Sequence, residues 1–195
     1  MSPALTLTLC GLGLFLLGLG HRFPALERLD ARLFSRLYAF FGEGRGLPVF
    51  RSFWPLGRTP VTLALLAVLC IVDWKAGALA AGIYLLAAGL EMALKRRLRR
   101  PRPFEALPGI QPRQPRLPTD PSFPSGDALR VWFLALVLPA VFGLAWPVSL
   151  TLPALALLVS LGRTAMGMHY PTDVLAGSGL GLLAAGTFFF ILPLI

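Results

Sequence analysis

The chain has 195 residues, of which 56% are hydrophobic and only 14% are charged, and its mean hydropathy is +0.72. A soluble domain carries about 25% charged residues, so this composition excludes an ordinary soluble protein. Several uncharged runs are long enough to cross a hydrocarbon core of roughly 30 Å, and they predict an integral membrane protein. The formal net charge of the chain is +9.

The order of uncharged runs and breaks predicts an all-α bundle of six transmembrane helices in a single domain, residues 1–195. The first run has no basic start and no clear cleavage site, so we interpret it as a retained helix and not as a secretory signal. The run 131–162 is too long for one span, and Pro147 divides it because a mid-helix proline removes a hydrogen bond. The predicted spans are residues 3–20, 56–73, 76–95, 125–145, 148–163 and 172–194.

The segment 23–46, between the first two spans, has the pattern of an amphipathic helix. Its apolar stripe consists of Leu26, Leu29, Leu33, Leu37 and Phe40, and its basic stripe consists of Arg28, Arg32 and Arg36. Such a helix can lie in the membrane interface, with the leucines towards acyl chains and the arginines towards headgroup phosphates. The periodicity equally allows a helix on the soluble side that packs over the bundle.

Residues 101–124 form a connection with eight prolines, which predicts an extended segment with few hydrogen bonds. Its arginines, Arg102, Arg113 and Arg116, make it positively charged. The loop could be a lid near a site or simply a solvated crossing between two spans.

Basic residues are distributed unevenly between the two faces of the predicted bundle. Of the 18 lysines and arginines, only Lys75 lies on the face that holds both termini, and the bias persists when three candidate phosphate ligands are set aside. The positive-inside rule then predicts a cytoplasmic basic face and external termini. The arginines predicted to act only as headgroup and topology charges are Arg96, Arg97, Arg99 and Arg100.

Three short stretches on the basic face carry residues suited to chemistry. They are residues 95–103 at the end of the third span, 124–127 at the start of the fourth, and 163–173 between the fifth and sixth. Lys95, Arg102 and Arg163 offer donors for phosphate oxygens. The amides of Ser125 and Gly126 are expected to point outward at a helix N-terminus, where an anion is favoured.

His169 is the only histidine in these stretches, and in its neutral form it can attack phosphorus. Asp173, four residues later, can hold the other ring nitrogen and stabilise the imidazolium. No cluster of carboxylates suits magnesium, so the sequence predicts phosphoryl transfer through a phosphohistidine, with no metal and no other cofactor.

The three stretches resemble the motifs of the type 2 phosphatidic acid phosphatase superfamily, which read Lys-x6-Arg-Pro, Pro-Ser-Gly-His and Ser-Arg-x5-His-x3-Asp. The residues at the motif positions are Lys95, Arg102 and Pro103, then Pro124, Ser125, Gly126 and Asp127, then Gly162, Arg163, His169 and Asp173. Order and spacing agree, and the predicted layout of spans resembles that of the family over nearly the whole chain.

The resemblance implies a role for each matching residue. The residues that would bind phosphate are Lys95, Arg102, Ser125, Gly126 and Arg163, while His169 would be the nucleophile and Asp173 its orienting partner. Two positions depart from the family's pattern. Gly162 replaces a serine and removes one hydroxyl, and Asp127 replaces the histidine that protonates the leaving group.

Three hypotheses account for Asp127. It could be a general acid, kept protonated by burial and by the bound phosphate. Alternatively, no strong acid is needed, because a phosphoanhydride such as a polyprenyl diphosphate expels a good leaving group. In the third hypothesis Asp127 caps its helix or pairs with an arginine, and catalysis is slow or lost.

The predicted function is metal-independent hydrolysis of a lipid phosphate or diphosphate, of the phosphatidic acid or polyprenyl diphosphate type, with the bilayer as partner. The alternatives are a lipid phosphotransferase and a catalytically impaired protein that binds lipid phosphates. No nucleic-acid partner and no oligomeric state are predicted. Bacterial members of the resembled family commonly place the site on the periplasmic side of the inner membrane, which conflicts with the cytoplasmic side that the charges favour.

Overall fold

Every regular element in the described part of the chain, residues 2–42 and 46–195 of this computed structural model, is helical. The α-helices are α1 (Pro3–Leu19), α2 (Pro24–Gly42), α3 (Leu47–Phe53), α4 (Thr59–Val72), α5 (Trp74–Leu98), α6 (Pro103–Ala106), α7 (Gly126–Phe142), α8 (Trp146–Ala165) and α9 (Pro171–Ile191). Short 3-10 turns follow α1, α3 and α9 at Gly20–Arg22, Trp54–Gly57 and Leu192–Leu194. The predicted all-α fold is confirmed.

Four helical stretches are long and apolar enough to cross a membrane, and they are Pro3–Arg22, Trp74–Ala106, Trp146–Ala165 and Pro171–Leu194. A fifth results if Leu47–Gly57 and Thr59–Val72, which meet at 52°, form one bent span. The predicted membrane bundle is therefore confirmed with four or five candidate spans among the described residues, where the sequence predicted six. The difference lies in α7, whose 17 residues are fewer than the ~20 of a typical span, and also in the 14-residue α4 when the bent pair is not counted.

The helix ends follow local sequence signals. Pro147 lies in the first turn of α8, where a proline leaves no hydrogen bond unmade, so the predicted break falls where that helix begins. Gly143 (φ 59°) ends α7 in the left-handed conformation that favours glycine. Asp73 caps α5 by accepting hydrogen bonds from the amides of Lys75 and Ala76.

α9 lies at the centre of the bundle and packs against α1, α5, α7 and α8. Glycine makes this close approach possible. A Cβ atom at Gly179 would lie 2.6 Å from the carbonyl oxygen of Gly11, and one at Gly177 would lie 2.1 Å from that of Ser125. The second contact holds the start of α7 directly against α9, which brings two of the predicted stretches together.

α2 forms in the predicted segment, but the bundle buries a face that neither predicted stripe contains. Apart from half-buried Leu37, the apolar stripe is exposed, with Phe40 81% accessible, and the arginine stripe is exposed as well. The buried face carries Asp30 and Phe34 instead. The leucines therefore do not pack over the bundle, and they remain accessible to acyl chains.

Candidate active site

The three predicted stretches meet at one cavity of about 540 Å³. The predicted site residues that line it are Lys95, Arg102, Gly126, Asp127, Arg163 and His169. Ser125 and Asp173 lie behind this lining and are fully buried. The structure thus brings all the predicted site residues together, while their roles remain predictions.

Helix ends position the side chains around the cavity. Lys95 lies in the last turn of α5, and Arg102 immediately precedes α6. Gly126 opens α7, and Arg163 lies in the last turn of α8. His169 follows in the short connection from α8 to α9. Each residue therefore lies where a helix begins or ends, at the same level of the bundle.

Ser125 is the N-cap residue of α7, and both of its polar groups are used within the protein. Its hydroxyl accepts a hydrogen bond from the amide of Ala128 (3.5 Å), and its own amide donates to the carbonyl oxygen of Asp173 (3.0 Å). The Ser125 amide is therefore not free to bind an anion, contrary to the expectation from the sequence. Gly126 remains at the cavity wall, at the positive end of the α7 dipole.

His169 is buried (2% exposed) with its two ring nitrogens in different surroundings. Arg102 Nη1 lies 3.2 Å from Nε2, and because a guanidinium can only donate, Nε2 accepts and the ring proton belongs on Nδ1. Burial, followed by the charge of Arg102, lowers the pKa of His169 to about 3. The imidazole is therefore neutral at pH 7 and keeps a lone pair on Nε2.

Asp173 is near the histidine but makes no direct hydrogen bond to it. Its Oδ2 lies 3.8 Å from Nδ1 of His169, which is beyond hydrogen-bond distance. That oxygen instead accepts from the hydroxyl of Ser122 (2.5 Å) and the amide of Tyr170 (2.9 Å), while Oδ1 accepts from Arg100. The predicted pair of His169 and Asp173 is thus a larger cluster that includes Ser122.

Arg100 is a correction to the sequence analysis, which treated it as a headgroup charge. The residue is buried (8% exposed), with Nη2 2.7 Å from Oδ2 of Asp30 and Nη1 bonded to Asp173. Its guanidinium lies over the ring of Tyr170, 4.1 Å from the centroid. Thr172 joins the cluster, since its amide donates to Asp30 (3.0 Å). Arg100 therefore ties α2 to the start of α9.

Two cations of the cavity, Lys95 and Arg102, are already paired with carboxylates. Lys95 Nζ lies 3.0 Å from Glu91 and also contacts Asp120, and Arg102 Nη2 lies 3.0 Å from the other oxygen of Asp120. Burial alone would raise the pKa of Asp120, but the charges of Lys95 and Arg102 outweigh it and lower the pKa to about 2. An incoming phosphate would therefore compete with the Asp120 carboxylate for both cations.

Asp127 lies between two guanidinium groups. Its Oδ1 accepts a hydrogen bond from Arg130 Nη2 (2.7 Å), and its Oδ2 is 2.9 Å from Arg163 Nε, close enough for an ion pair but not aligned for a hydrogen bond. Arg130 is held in turn by the carbonyl oxygen of Gly57, to which its Nε donates (2.6 Å). This arrangement stabilises the ionised carboxylate.

The proline-rich loop packs against the cavity, which makes it more than a solvated crossing. Gln114 accepts a hydrogen bond from Arg163 (2.5 Å), and Asp120 holds the two cations described above. Arg113 anchors the loop to α2 by donating to the carbonyl oxygen of Tyr38 (2.8 Å) and stacking on its ring. The loop therefore contributes polar groups to the cavity wall.

Several residues of the site are not marked by any sequence signal. Ser122 and Arg130 both contact predicted site residues, yet neither belongs to a motif used above. Asp30 is the exception, because the sequence does indicate which helix face it occupies. It precedes the apolar Phe34 and Tyr38 at intervals of four, so the three residues share one face of α2. Within the described ranges, no group of three or more His, Cys, Asp or Glu side chains is placed to hold a metal ion.

Fold and cavity together define a helical membrane protein with a cationic site around a buried neutral histidine. Residues 76–193, more than half of the chain, match the PAP2 superfamily. The chain therefore belongs to the PAP2 superfamily, and the family membership that the motifs implied is confirmed.

Known proteins resemble the chain to different extents. It is 32% identical over 120 residues to the decaprenylphosphoryl-5-phosphoribose phosphatase of Mycobacterium tuberculosis, covering 61% of this chain and 63% of that protein. The fold is similar to that of a transmembrane PAP2-type phosphatidylglycerolphosphate phosphatase from Bacillus subtilis, with a TM-score of 0.75 at 22% identity, covering 100% and 98% of the two chains. LpxE from Aquifex aeolicus gives a TM-score of 0.68 at 26% identity, covering 80% of this chain and 93% of that one.

Proposed function

We propose that this protein is a membrane phosphatase that hydrolyses a lipid phosphate or diphosphate through a phosphohistidine, without a metal ion. The observation that carries the proposal is the position of His169, whose Nε2 lies beside Arg102 in a cavity that Lys95 and Arg163 also line. Family membership and the name of the mycobacterial relative support a lipid phosphate as substrate.

Substrate binding begins with an exchange of anions. The phosphate displaces the carboxylate of Asp120 from Lys95 and Arg102, and it takes further donors from Arg163 and from the start of α7 at Gly126. The lipid part of the substrate remains in the bilayer. The phosphorus atom then lies close to Nε2 of His169.

The chemistry proceeds in two displacements. Nε2 of the neutral imidazole forms a bond to phosphorus while the bond from phosphorus to the leaving oxygen breaks, and that oxygen keeps the bonding electron pair. Lys95, Arg102 and Arg163 balance the charge on the phosphoryl oxygens. Water then attacks phosphorus and gives up its proton to the solvent. The nitrogen–phosphorus bond breaks, its electron pair returns to Nε2, and inorganic phosphate leaves.

Asp127 bears on which lipid is preferred. Its carboxylate is paired with Arg130 and Arg163 at 2.7 and 2.9 Å, the pairing that the third hypothesis describes, and this argues against a general acid. We propose that catalysis nevertheless proceeds, as in the second hypothesis, because no strong acid is needed. A diphosphate expels a phosphate, which departs without a strong acid, whereas a phosphate monoester expels a lipid alkoxide, which is a far poorer leaving group. A lipid diphosphate such as a polyprenyl diphosphate therefore suits this site better than a phosphate monoester.

Two outer arginines support a substrate with a second anionic group. Arg58 and Arg116 line the same cavity, and Arg58 stacks on Trp54 with its guanidinium 5.1 Å from the ring centroid. Within the described ranges, neither arginine lies within ion-pair distance of a carboxylate. They differ in this from the inner cations of the cavity, which are Lys95, Arg102 and Arg163. Both are therefore available to a second phosphate of the substrate.

The placement in the membrane is also a proposal. α7 would be a sixth, short span that carries Asp127 and Arg130 only in its first turns, and α2 would lie in the interface with its exposed leucines towards acyl chains. The basic face, which contains the cavity, would be cytoplasmic as the charge distribution favours.

The test uses protein reconstituted in vesicles that contain a lipid monophosphate or a polyprenyl diphosphate, with released phosphate measured. His169→Ala is expected to abolish release from both lipids, and retained release would refute the mechanism. Asp127→Ala is expected to match the wild type on the diphosphate. If Asp127→Asn abolishes turnover of the monophosphate alone, Asp127 is a general acid for that substrate.

Two alternatives give different outcomes in the same assay. A phosphotransferase would release little phosphate with water alone and would label an added lipid or sugar acceptor. A protein that only binds lipid phosphates has one observation in its favour, since carboxylates already occupy the inner cations. It would retain affinity for the lipid and show no turnover.

A further inference from the structure

Ser122 lies between the two residues that the sequence pairs directly. Its hydroxyl oxygen is 2.5 Å from Oδ2 of Asp173 and 3.4 Å from Nδ1 of His169, whereas Nδ1 and that carboxylate oxygen are 3.8 Å apart. The serine is fully buried (0% exposed). A hydroxyl can donate one hydrogen bond and accept another, so it can serve both neighbours at once.

The direction of both hydrogen bonds follows from the surrounding groups. Asp173 already accepts from Arg100, which favours its ionised form, so the Ser122 hydroxyl donates to it. Arg102 donates to Nε2 of His169, which leaves the ring proton on Nδ1, facing the oxygen of Ser122. The chain of donors therefore runs from the histidine through the serine to the aspartate.

The backbone fixes Ser122 without help from its hydroxyl. Its amide donates to the carbonyl oxygen of Arg100 (2.8 Å), and the side chain of the same Arg100 donates to Asp173. Removal of the hydroxyl should therefore leave the loop in place. The effect of such a change can be assigned to the lost hydrogen bonds.

We propose that Ser122 is the positioning residue of the nucleophile, and that Asp173 acts on His169 only through the Ser122 hydroxyl. This inference rests on the proposed function, in which Nε2 attacks phosphorus. As the bond forms, positive charge develops on the ring while the proton stays on Nδ1, and the long hydrogen bond to Ser122 shortens. Ser122 thereby holds the ring orientation and the tautomer that the attack requires.

The first test is Ser122→Ala, assayed with the lipid substrate and with inorganic phosphate as a competitive inhibitor. We expect kcat to fall by about tenfold to a hundredfold, while KM and the phosphate inhibition constant stay unchanged because the cations are untouched. Ser160→Ala is the matched control, since Ser160 is also buried (2%) and its hydroxyl has no partner among the described residues. It should behave as the wild type.

A double-mutant cycle distinguishes two ways in which Ser122 and Asp173 could act on His169. Either Asp173 acts through Ser122, or each residue acts on the histidine independently. If Asp173 acts only through Ser122, the double variant Ser122→Ala with Asp173→Asn should be no slower than Asp173→Asn alone. Multiplying effects would show that each residue contacts His169 independently and would overturn the inference. Should Asp173→Asn fail to fold, the comparison of Ser122→Ala with Ser160→Ala still decides whether Ser122 positions the nucleophile, since equal kcat in the two variants would overturn that role.

The outcome for the proposed function is read separately. If His169→Ala is inactive and Ser122→Ala is as active as Ser160→Ala, the inference about Ser122 fails and the proposed function stands. If His169→Ala keeps its activity, the phosphohistidine mechanism fails, and the inference fails with it.

Discussion

At the scale of single residues, the proposed mechanism requires a neutral His169, and the surroundings of the side chain favour that state. Burial and Arg102 lower its pKa to about 3 in the folded protein, against 6.5 for an ordinary histidine. Between these values the unfolded chain binds a proton that the folded chain does not. Stability is therefore fully present above pH 6.5 and falls as the pH drops below it.

The first prediction follows from this difference in protonation. From pH 8 to pH 5, the wild type should lose about 2 kcal/mol of unfolding free energy that His169→Gln does not lose. Chemical unfolding in detergent micelles at the two pH values measures it. His21 is common to both proteins and cancels in the comparison. An equal pH dependence in the two proteins would mean that His169 is not buried as a neutral group.

A second prediction concerns Asp120, whose carboxylate occupies two cations that are proposed to bind the substrate phosphate. Asp120→Asn should weaken the hold on Arg102 and leave Lys95 with Glu91 as its only carboxylate partner among the described residues, and so lower the inhibition constant of inorganic phosphate about threefold to tenfold, a modest change because the Asp120 side chain is 43% exposed. The matched control is Glu27→Gln, which removes an exposed charge outside the cavity. Equal inhibition of both variants would exclude competition between Asp120 and phosphate.

The grouping of residues into one site was predictable only where a fixed spacing along the chain linked them. The motif residues Lys95, Arg102 and His169 could be assigned to one site because their order and intervals are fixed. Ser122 could not, since its contact with Asp173 depends on how a loop folds back over 51 residues of intervening sequence. A single serine beside a motif has no periodicity that would reveal such a contact.

At the scale of elements, hydrophobic runs and prolines predicted most helices, because a membrane span must satisfy its backbone internally. The faces of α2 were predicted less well. Periodicity identifies which residues share a face, but it does not decide which face the bundle buries. Here a polar contact decided it, since Asp30 pairs with Arg100 at a separation of 70 residues and draws the Asp30 side of α2 inward.

The third prediction tests this anchoring of α2. Asp30→Asn should lower the unfolding free energy by about 3 kcal/mol, because it leaves the buried guanidinium of Arg100 with one carboxylate fewer. It should also lower kcat, since Arg100 holds Asp173. Thermal unfolding in detergent and phosphate release measure the two effects. Arg32→Ala, on the exposed stripe of the same helix, is the control and should change neither.

At the scale of the whole molecule, the structure separates a basic end from a nearly uncharged one. α1 and α9 are antiparallel. The end of α1 at Gly18 packs on Ala176 near the start of α9, and Ala4 near the start of α1 packs on Gly186 near the end of α9. Both termini therefore lie at the same end of the bundle. Lys75 joins that end too, since its Nζ donates to the carbonyl oxygen of Ile195 (2.6 Å).

The last prediction follows from this polarity. The cavity lies at the end opposite the termini, where the arginines cluster, and carrying those charges across the membrane is unfavourable. A reporter that is active only outside the cytoplasm should therefore be active when fused after Ile195 and inactive when inserted at the exposed Gly109, in the proline-rich loop. The reverse pattern would place the cavity on the periplasmic side, and the charges would then serve substrate binding and not topology.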